Sequence, residues 1–359
     1  MTVDACDGCL RRTALIAAVA GSLDIAWRER TARAAMLAQP DEALLALDSR
    51  AAPGYEGFHA ARARARIDAA GLHALCRCAT AFPATLRELP DPPAVLHVAG
   101  RLGAVAHADA AAIVGTRRAT AYGLEVARAL GRGLTASGVP VVSGMALGID
   151  SAAHAGALEA ATSRAPPVAV LAGRADVSYP ARLRRLHADL VEAGCVVSEM
   201  PPGFTAHRWC FPARNRIIAA LAAATVVVEA APRSGSLITA DLATDLGRTV
   251  GAVPGQVTSR FSAGTNDLLH AGAAVVRDAR DVVGLLFGAD APPACEPDSA
   301  AGLDPSLRSL LEAVEQGRGS VAEVARSVEQ AEAALRGLSE LELQGLVRRE
   351  FGGRYVRCL

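Results

Sequence analysis

Short runs of consecutive apolar residues alternate with amphipathic segments from about residue 95 to residue 286. Unbroken rather than alternating hydrophobicity is typical of strands that are buried on both faces, as in a parallel sheet covered by helices. The intervening segments are long enough for right-handed helical crossovers. The predicted strands are residues 111–114, 139–143, 168–171, 195–197, 225–228, 249–252 and 274–276. The pattern therefore predicts an α/β fold with a Rossmann-like, doubly wound, mostly parallel sheet over residues 86–287.

The pattern changes on both sides of this region. Residues 1–85 are rich in alanine, leucine and arginine at helical spacing, with breaks at Pro40, Pro53 and Gly71, and predict a small helical domain. Residues 288–303 contain several prolines and no periodicity, and predict a linker. Residues 304–359 predict a winged-helix domain, because three helices at 305–316, 320–327 and 331–346 precede a hairpin that turns at Gly352 and Gly353.

The third predicted helix of the winged-helix domain is acidic. Phosphate groups repel such a helix, so we expect this domain to pack or to bind protein rather than to read the major groove of DNA. The hairpin arginines remain available for a DNA contact. The acidic residues are Glu329, Glu332, Glu340 and Glu342, offset by Arg336 alone, and the hairpin arginines are Arg348, Arg349, Arg354 and Arg357.

Charge and composition restrict the classes of function. The 359-residue chain is 51% hydrophobic, and its 37 basic residues balance its 37 acidic residues. Whole-molecule attraction to nucleic acid is therefore absent, and any binding of DNA requires a local patch. All the basic residues are arginine. A Walker A loop needs a lysine, so nucleotide hydrolysis of the P-loop type is excluded.

The sequence contains no run of eighteen apolar residues, and its first residues do not resemble a signal peptide. We therefore expect a cytoplasmic protein without membrane contact, in which the eight cysteines are reduced. Cys6 and Cys9 have the spacing of zinc ligands, but Cys76 and Cys78 lie one residue closer together than in the usual knuckle. The spacing favours scattered structural cysteines over a four-thiolate zinc site, and no metal is expected.

Three glycine-containing loops each follow a predicted strand and precede a predicted helix, at residues 115–120, 144–148 and 233–236. Glycine lets backbone N–H groups approach a ligand closely, and the first turn of a helix attracts anions. Ser236 is expected to cap the helix that begins at Leu237. Because such loops converge at the carboxyl edge of a doubly wound sheet, they predict a phosphate-binding crevice there.

Seven ordered motifs resemble the DNA-processing protein A family, also called DprA or Smf, over about residues 85–280. The motifs are residues 114–117, 143–150, 179–180, 198–199, 214–218, 234–239 and 264–266. The resemblance implies a single-stranded DNA-binding mediator that loads the RecA recombinase during natural transformation, without a cofactor or catalytic residues. It also implies a homodimer formed through the Rossmann-like domain.

In that family the N-terminal region is often a helix-hairpin-helix or sterile-alpha-motif-like module. The glycine hairpin that would hold a DNA phosphate is not evident in residues 19–22, so we expect a packing role for this region. Arg174 is expected at the rim of the crevice. Arg182, Arg184 and Arg185 form either an extension of a basic track or a solvated helix face.

The resemblance and the loop chemistry together predict a set of DNA-binding residues. Three of them have an open alternative: Phe211 either stacks on a base or belongs to the core, Arg216 either binds DNA or pairs with Glu229, and Asn266 either faces the crevice or turns away. The set comprises Gly115, Thr116, Arg117, Ser143, Gly144, Met145, Phe211, Arg214, Asn215, Arg216, Ser234, Gly235, Ser236, Thr239 and Asn266. Asp150 is expected to cap or orient its loop, and His154 to be a packing residue.

A competing class is a nucleotide-processing enzyme like the lysine-decarboxylase-like phosphoribohydrolases, which have a similar sheet and glycine-rich loop. Those enzymes carry glutamates immediately after a Gly-Thr pair, whereas residues 235–241 here are mostly apolar. General-base chemistry would need Asp241 or Glu229 instead. The sequence therefore favours a binding protein over an enzyme.

Overall fold

The computed structural model describes residues 3–28, 36–288, 303–325, 327–344, 346–349 and 353–357. Twelve strands and sixteen helices are found in these ranges. The strands are β1 (Val3–Asp4), β2 (His73–Cys76), β3 (Val95–Gly100), β4 (Ala111–Val114), β5 (Val141–Ser143), β6 (Val168–Val170), β7 (Cys195–Ser198), β8 (Ala224–Val227), β9 (Thr249–Ala252), β10 (Ala274–Val275), β11 (Val347–Arg349) and β12 (Tyr355–Arg357).

The helices fall into three groups along the chain. Six precede β4, namely α1 (Asp7–Ala18), α2 (Ala20–Arg28), α3 (Asp41–Leu47), α4 (Ala52–Glu56), α5 (Ala60–Ala69) and α6 (Ala84–Arg87). Seven cover the sheet, namely α7 (Ala121–Ala136), α8 (Ile149–Glu159), α9 (Arg184–Ala193), α10 (Cys210–Leu221), α11 (Gly235–Asp245), α12 (Ala263–His270) and α13 (Ala279–Phe287). Three follow, namely α14 (Pro305–Glu315), α15 (Val321–Val324) and α16 (Val328–Leu343).

Ten strands form one sheet in the order β1-β2-β3-β7-β6-β5-β4-β8-β9-β10. Strands β4 to β10 run parallel to one another, as the unbroken apolar runs predict. Helices lie on both faces and bury the sheet in three apolar clusters. The predicted Rossmann-like, doubly wound, mostly parallel sheet is confirmed.

Strand β3 runs antiparallel to both of its neighbours, β2 and β7. It joins the seven predicted strands to two strands from the N-terminal region, and none of these three was predicted. The short edge strand β1 lies parallel to β2, with Val3 opposite Ala74. The sheet is therefore wider than the sequence pattern indicated.

The predicted boundary near residue 85 does not separate two bodies. Residues Met1–Ala294 form one compact unit. The N-terminal helices share a core with the sheet, since Leu10 and Ile67 are buried in the same cluster as Leu171 and Val196. The prediction of a separate helical domain is wrong because β1 and β2 extend the sheet into this region.

The cysteines of this region are not scattered. Cys6 and Cys9 lie at the start of α1, and Cys76 and Cys78 lie at and just after the end of β2. Their four sulfur atoms lie within 4.8 Å of one another. The expectation of scattered cysteines is wrong, since the pairing of β1 with β2 brings the two pairs together.

Residues Cys295–Leu359 form a second compact unit. Helices α14 and α16 and the antiparallel hairpin of β11 and β12 enclose a small core that includes Leu311, Leu338 and Tyr355. Three helices followed by a hairpin are the elements predicted here, and their assignment as a winged helix stays a prediction. The predicted linker falls largely on residues 289–302, which lie outside the described ranges, as does Gly352.

No helix within the described residues combines the length and the hydropathy needed to cross a membrane.

Candidate nucleic-acid interface

The strand order reverses at β4. The chain passes from β4 through β5 and β6 to β7 on one side, and then returns to place β8, β9 and β10 on the other. In doubly wound sheets a ligand crevice opens outside the carboxyl ends of the strands at such a point.

A crevice of about 460 Å³ opens at this position. We call it the switch-point crevice. The loop after β4, the loop before α11 and the first turns of α10 and α11 form its walls. Its lining residues are Val114, Gly115, Thr116, Arg117, Arg118, Ala146, Asp150, Phe211, Pro212, Arg214, Asn215, Ile218, Ser234, Gly235, Ser236, Ile238 and Thr239.

The N-terminus of α11 forms one wall of the switch-point crevice. Ser234 is its N-cap, and the Ser234 hydroxyl accepts a hydrogen bond from the backbone N–H of Ser236 at 3.4 Å. The prediction that Ser236 caps the helix is therefore wrong by two positions, because α11 begins at Gly235 rather than at Leu237. A Cβ atom added to Gly235 would meet no heavy atom within 4 Å, so the backbone here is open to an approaching ligand.

An arginine and two aromatic rings stand at the mouth of the crevice. The exposed Arg117 guanidinium lies 5.2 Å from the centroid of the Phe211 ring, a cation–π distance. The Phe211 ring lies 5.6 Å from that of Tyr179, which is 56% exposed. Phe211 is half-buried: it packs against a core cluster and also lines the crevice, so the core interpretation holds in part and stacking on a base stays a prediction.

Arg214 lines the inner wall, but it is 6% exposed and largely engaged within the protein. Its Nη1 donates to the carbonyl oxygen of Gly144 at 2.6 Å and to that of Val170. Its Nη2 lies 3.8 Å from a carboxylate oxygen of Asp150. Burial lowers the pKa of Arg214 to about 10, so the guanidinium is still positive at neutral pH.

Most of the loop after β5 lies behind the crevice, and of residues 144–148 Ala146 alone is in the lining. The carboxylate of Asp150 accepts the backbone N–H groups of Gly144 at 3.2 Å and of Ala146 at 3.4 Å, in line with its expected orienting role. The Ser143 hydroxyl donates to the carbonyl oxygen of Ile113 at 2.6 Å, and Met145 is fully buried with φ at 50°. Ser143, Gly144 and Met145 were predicted DNA contacts, and the structure does not place them in the lining.

Arg216 was also predicted to contact DNA, but it does not line the crevice. Its side chain is 7% exposed and lies between two buried acids: Nη2 is 2.7 Å from Glu199, and Nε is 2.9 Å from Asp91. The alternative pairing with Glu229 is wrong as well. Glu229 accepts the backbone N–H of Thr120 at 2.9 Å and the Thr120 hydroxyl.

Two asparagines hold loops. Asn215 lines the crevice, donating to the carbonyl oxygen of Gly235 at 3.2 Å and accepting from Arg214 Nε at 3.1 Å. Asn266 turns away, because its amide bonds to the backbone N–H and carbonyl of Gly255 at 3.3 and 3.2 Å. Asn266 therefore supports a neighbouring loop instead of the lining.

Several lining residues were not predicted from the sequence. Arg118 is exposed beside Arg117, and its position in the same loop was the available signal. Ile238 is 40% exposed and adds an apolar patch, one helical turn from Ser234. His154 is buried as a packing residue, and burial lowers its pKa to about 4.

Charge within the crevice favours an anion. Three arginines line it, at positions 117, 118 and 214, whereas Asp150 is the one acidic residue among the lining residues and is paired with Arg214. Of the other basic candidates, Arg174 is occupied by Asp176, and Arg185 lies 4.0 Å from Asp189. The positive character is thus concentrated at the mouth, in Arg117 and Arg118.

A second cavity of about 530 Å³ lies between α1, α5 and residues 201–207. Small and apolar side chains make up most of its lining, and none of the predicted DNA-binding residues is there. The strand order, the helix N-terminus and the exposed Arg117 and Arg118 all favour the switch-point crevice instead.

The model of the DNA recombination-mediator protein A family matches residues 73–286, more than half of the chain. A DNA processing protein DprA of Mycobacterium tuberculosis is 46% identical over 242 residues, which are 66% of this chain and 61% of that protein. Protein Smf of Synechocystis is 33% identical over 317 residues, covering 77% of this chain and 78% of the relative.

Solved structures of two related proteins resemble this one. The X-ray structure of DNA processing protein A from Streptococcus pneumoniae gives a TM-score of 0.62 at 28% identity, covering 77% of this chain and 95% of the other. The protein of the same name from Helicobacter pylori gives a TM-score of 0.53 at 29% identity, covering 57% and 93%. The latter structure was described for its single-stranded DNA binding mode.

Proposed function

Because the chain belongs to the DNA recombination-mediator protein A family, we propose that it processes DNA by binding single strands in the switch-point crevice. The observation that carries the proposal is the combination of two exposed arginines with an open helix N-terminus at one sheet edge. Both features attract phosphate oxygens. The Helicobacter pylori relative, described as binding single-stranded DNA, supports the same ligand.

The proposed strand runs along the carboxyl edge of the sheet. Its phosphates contact the first turn of α11 at Gly235 and Ser236, the Gly115–Thr116 backbone, and the guanidinium groups of Arg117 and Arg118. A base stacks on the half-buried Phe211 ring, beside Tyr179. Because most of these contacts go to the backbone of the strand, binding has little sequence preference.

The role of Arg214 in this proposal is electrostatic and structural. Its guanidinium adds positive charge to the inner wall, but its hydrogen bonds go to Gly144 and Val170. It therefore holds the loop after β5 in place, and the direct phosphate contacts belong to Arg117 and Arg118.

We further propose that the protein is a recombination mediator that loads the RecA recombinase. It would act as a homodimer formed through the first compact unit, Met1–Ala294, which we call the main unit. Family membership supports this part. The match covers 61% of the length of the mycobacterial relative. The activity of the whole protein is therefore part of what we propose.

A nucleotide-processing enzyme is the alternative, and the chemistry of the crevice argues against it. Asp150, the acidic lining residue, is buried against Arg214 and two backbone N–H groups. Glu229 lies outside the lining with its carboxylate held by Thr120, and Asp241 is also outside it. A general base with access to a bound nucleotide is therefore missing from the lining.

A salt-dependent titration tests the proposal. Purified protein is titrated with labelled oligo-dT, a mixed-sequence single strand and the matching duplex at several salt concentrations, and with nucleoside monophosphates in a hydrolysis assay. We expect tighter binding of both single strands than of duplex, a negative slope of log affinity against log salt, and no hydrolysis. Equal affinity for duplex, or release of base from a monophosphate, would overturn it in favour of duplex binding or of the enzyme.

A further inference from the structure

Four cysteines from two distant segments meet at the edge of the main sheet. Cys6 is the N-cap of α1 and Cys9 lies in its first turn, while Cys76 ends β2 and Cys78 lies two residues beyond. Cys9 and Cys76 are buried, and Cys6 and Cys78 are exposed. The pairing of Asp4 with Leu75 between β1 and β2 sets the two cysteine pairs side by side.

The separations of the sulfur atoms fit a shared metal ion. All four sulfurs lie within 4.8 Å of one another, and those of Cys9 and Cys78 are 3.8 Å apart. Tetrahedral zinc with Zn–S bonds of about 2.3 Å places its sulfurs roughly 3.8 Å apart. A disulfide would instead require about 2.05 Å.

The backbone explains how Cys76 and Cys78, which are separated by a single residue, can both be ligands of one metal ion. Strand β2 ends at Cys76, and the chain then turns, with the N–H of Ala79 donating to the carbonyl of Cys76 at 2.8 Å. The N–H of Arg77 donates to the carbonyl of Ala94 at 3.1 Å. These bonds fix the turn that brings Cys78 back to within reach of Cys9.

We propose that Cys6, Cys9, Cys76 and Cys78 bind one zinc ion as thiolates. Four protein ligands fill the tetrahedral coordination of zinc and leave no open position, so the site is structural rather than catalytic. The backbone N–H of Cys6 points at the sulfur of Cys76 at 3.5 Å, a contact that supports a thiolate ligand. None of the four cysteines lines the switch-point crevice, and the site is independent of the proposed DNA binding.

The zinc ion would fasten the start of the chain to the sheet. Arg64 of α5 already binds this segment, since its Nη2 lies 2.7 Å from Asp7 and 2.8 Å from the carbonyl oxygen of Ala5. Its positive charge stands next to a site that carries a net charge of about −2 when four thiolates hold a divalent ion. Removal of the metal should therefore loosen the N-terminal helices.

Metal analysis of the full-length protein tests the site. The protein is expressed with zinc in the medium, purified without chelator, and measured by elemental mass spectrometry. We expect one zinc per chain, and characteristic visible bands of tetrahedral thiolate coordination when Co²⁺ replaces the zinc. Reduced protein that contains no zinc and gives no such bands with Co²⁺ would overturn the proposal, as would a Cys9–Cys78 disulfide found in protein kept under reducing conditions.

Variants of Cys78 test the zinc site without altering the hydrophobic core, because Cys78 is exposed. Cys78→Ser should reduce the zinc content from one per chain to near none, whereas Cys78→His, which restores a zinc ligand, should keep it. Cys195→Ala is the matched control, since Cys195 is a free buried cysteine in β7 outside the cluster. Full zinc in Cys78→Ser, or equal loss of zinc in Cys195→Ala, would show that the cluster is not the metal site.

Discussion

Arg117 combines exposure with a defined position above the Phe211 ring. If it binds a phosphate of the strand, Arg117→Ala should weaken single-stranded DNA binding by roughly 1.5–3 kcal/mol, the range for a charge-assisted hydrogen bond. The slope of log affinity against log salt should become shallower by roughly 0.7, the contribution of one phosphate in a single strand. Fluorescence anisotropy measures both the affinity and the salt slope. Both changes should be the same for oligo-dT and for a mixed-sequence single strand.

Arg277→Ala is the matched control for this measurement. The Arg277 side chain is 73% exposed and paired with Asp281, and it lies outside the switch-point crevice. The Arg277→Ala substitution removes one positive charge, as Arg117→Ala does, but leaves the proposed site unchanged. Equal loss of affinity in both variants would mean that net charge, and not the crevice, governs binding.

Arg214 is expected to act mainly on stability. Arg214→Ala leaves the buried Asp150 carboxylate without its cation, and breaking a buried ion pair costs about 3–5 kcal/mol. Urea denaturation followed by circular dichroism should show this loss, with Arg117→Ala close to wild type. If Arg214→Ala is as stable as wild type and binds DNA more weakly, Arg214 is a direct phosphate ligand and our placement of its role is wrong.

Arg214 and Arg216 show what the sequence could and could not predict about single residues. Both were predicted as DNA contacts from one basic motif at a helix start. Residues two positions apart on a helix point in nearly opposite directions, so one reaches the crevice wall and the other the core. The partners of Arg216, Asp91 and Glu199, are distant in sequence, and only the folded chain identifies them.

At the scale of elements, the N-terminus of α11 has a test that separates binding from stability. Gly235→Ala adds a Cβ that meets no protein atom within 4 Å, and alanine is a better helix former than glycine, so the fold should be as stable or slightly more stable. If a phosphate lies against this backbone, the methyl group should displace it and weaken DNA binding by about 1.5–3 kcal/mol, the value of a hydrogen bond to a charged group. Anisotropy and thermal denaturation measure the two effects.

Gly123→Ala is the contrasting variant within α7. Its added Cβ would collide with the Glu229 carboxylate, so overpacking should destabilise the protein by about 1–3 kcal/mol. If Gly235→Ala binds DNA as tightly as wild type, the strand does not pass over the α11 N-terminus.

The strands divide into those the pattern could reveal and those it could not. Strands β4 to β9 are bordered on both sides by other strands and covered by helices, so they appear as unbroken apolar runs. Strand β10 was predicted on the same basis, although it lies at the sheet edge. Strands β1 and β2 lie near the opposite edge, in a region where helical spacing dominates the sequence. They are connected to the rest of the sheet through β3, which pairs antiparallel with both β2 and β7. Pairing between segments so far apart leaves no local signal.

At the scale of the whole molecule, the two compact units predict where DNA affinity resides. The exposed face of α16 is acidic, with Glu329, Glu332 and Glu340 among its residues, and phosphate would be repelled from it. A chain ending at Ala294 retains the complete main unit and the switch-point crevice. We expect its affinity for single-stranded DNA to stay within a few-fold of the full chain and its salt slope to be unchanged.

Circular dichroism must show that the shortened protein keeps its helices, since only a folded truncation is informative. A folded protein that has lost its affinity would place the DNA site in the second unit. A shallower salt slope with retained affinity would instead assign some phosphate contacts to the hairpin arginines.

The antiparallel strand β3 has a consequence for how the chain is made. His97 pairs with Ser198, so the strand that carries β2, β1 and their helices can join the sheet only after β7 has left the ribosome. Until then the apolar N-terminal segments have no completed surface to cover them, and closing so long a loop is slow. Newly synthesised N-terminal chain thus remains open to chaperones or to aggregation for longer than strands β4 to β6, each of which pairs with the next strand along the chain. Slowed translation before residue 198 should therefore raise misfolding more than a pause placed after it.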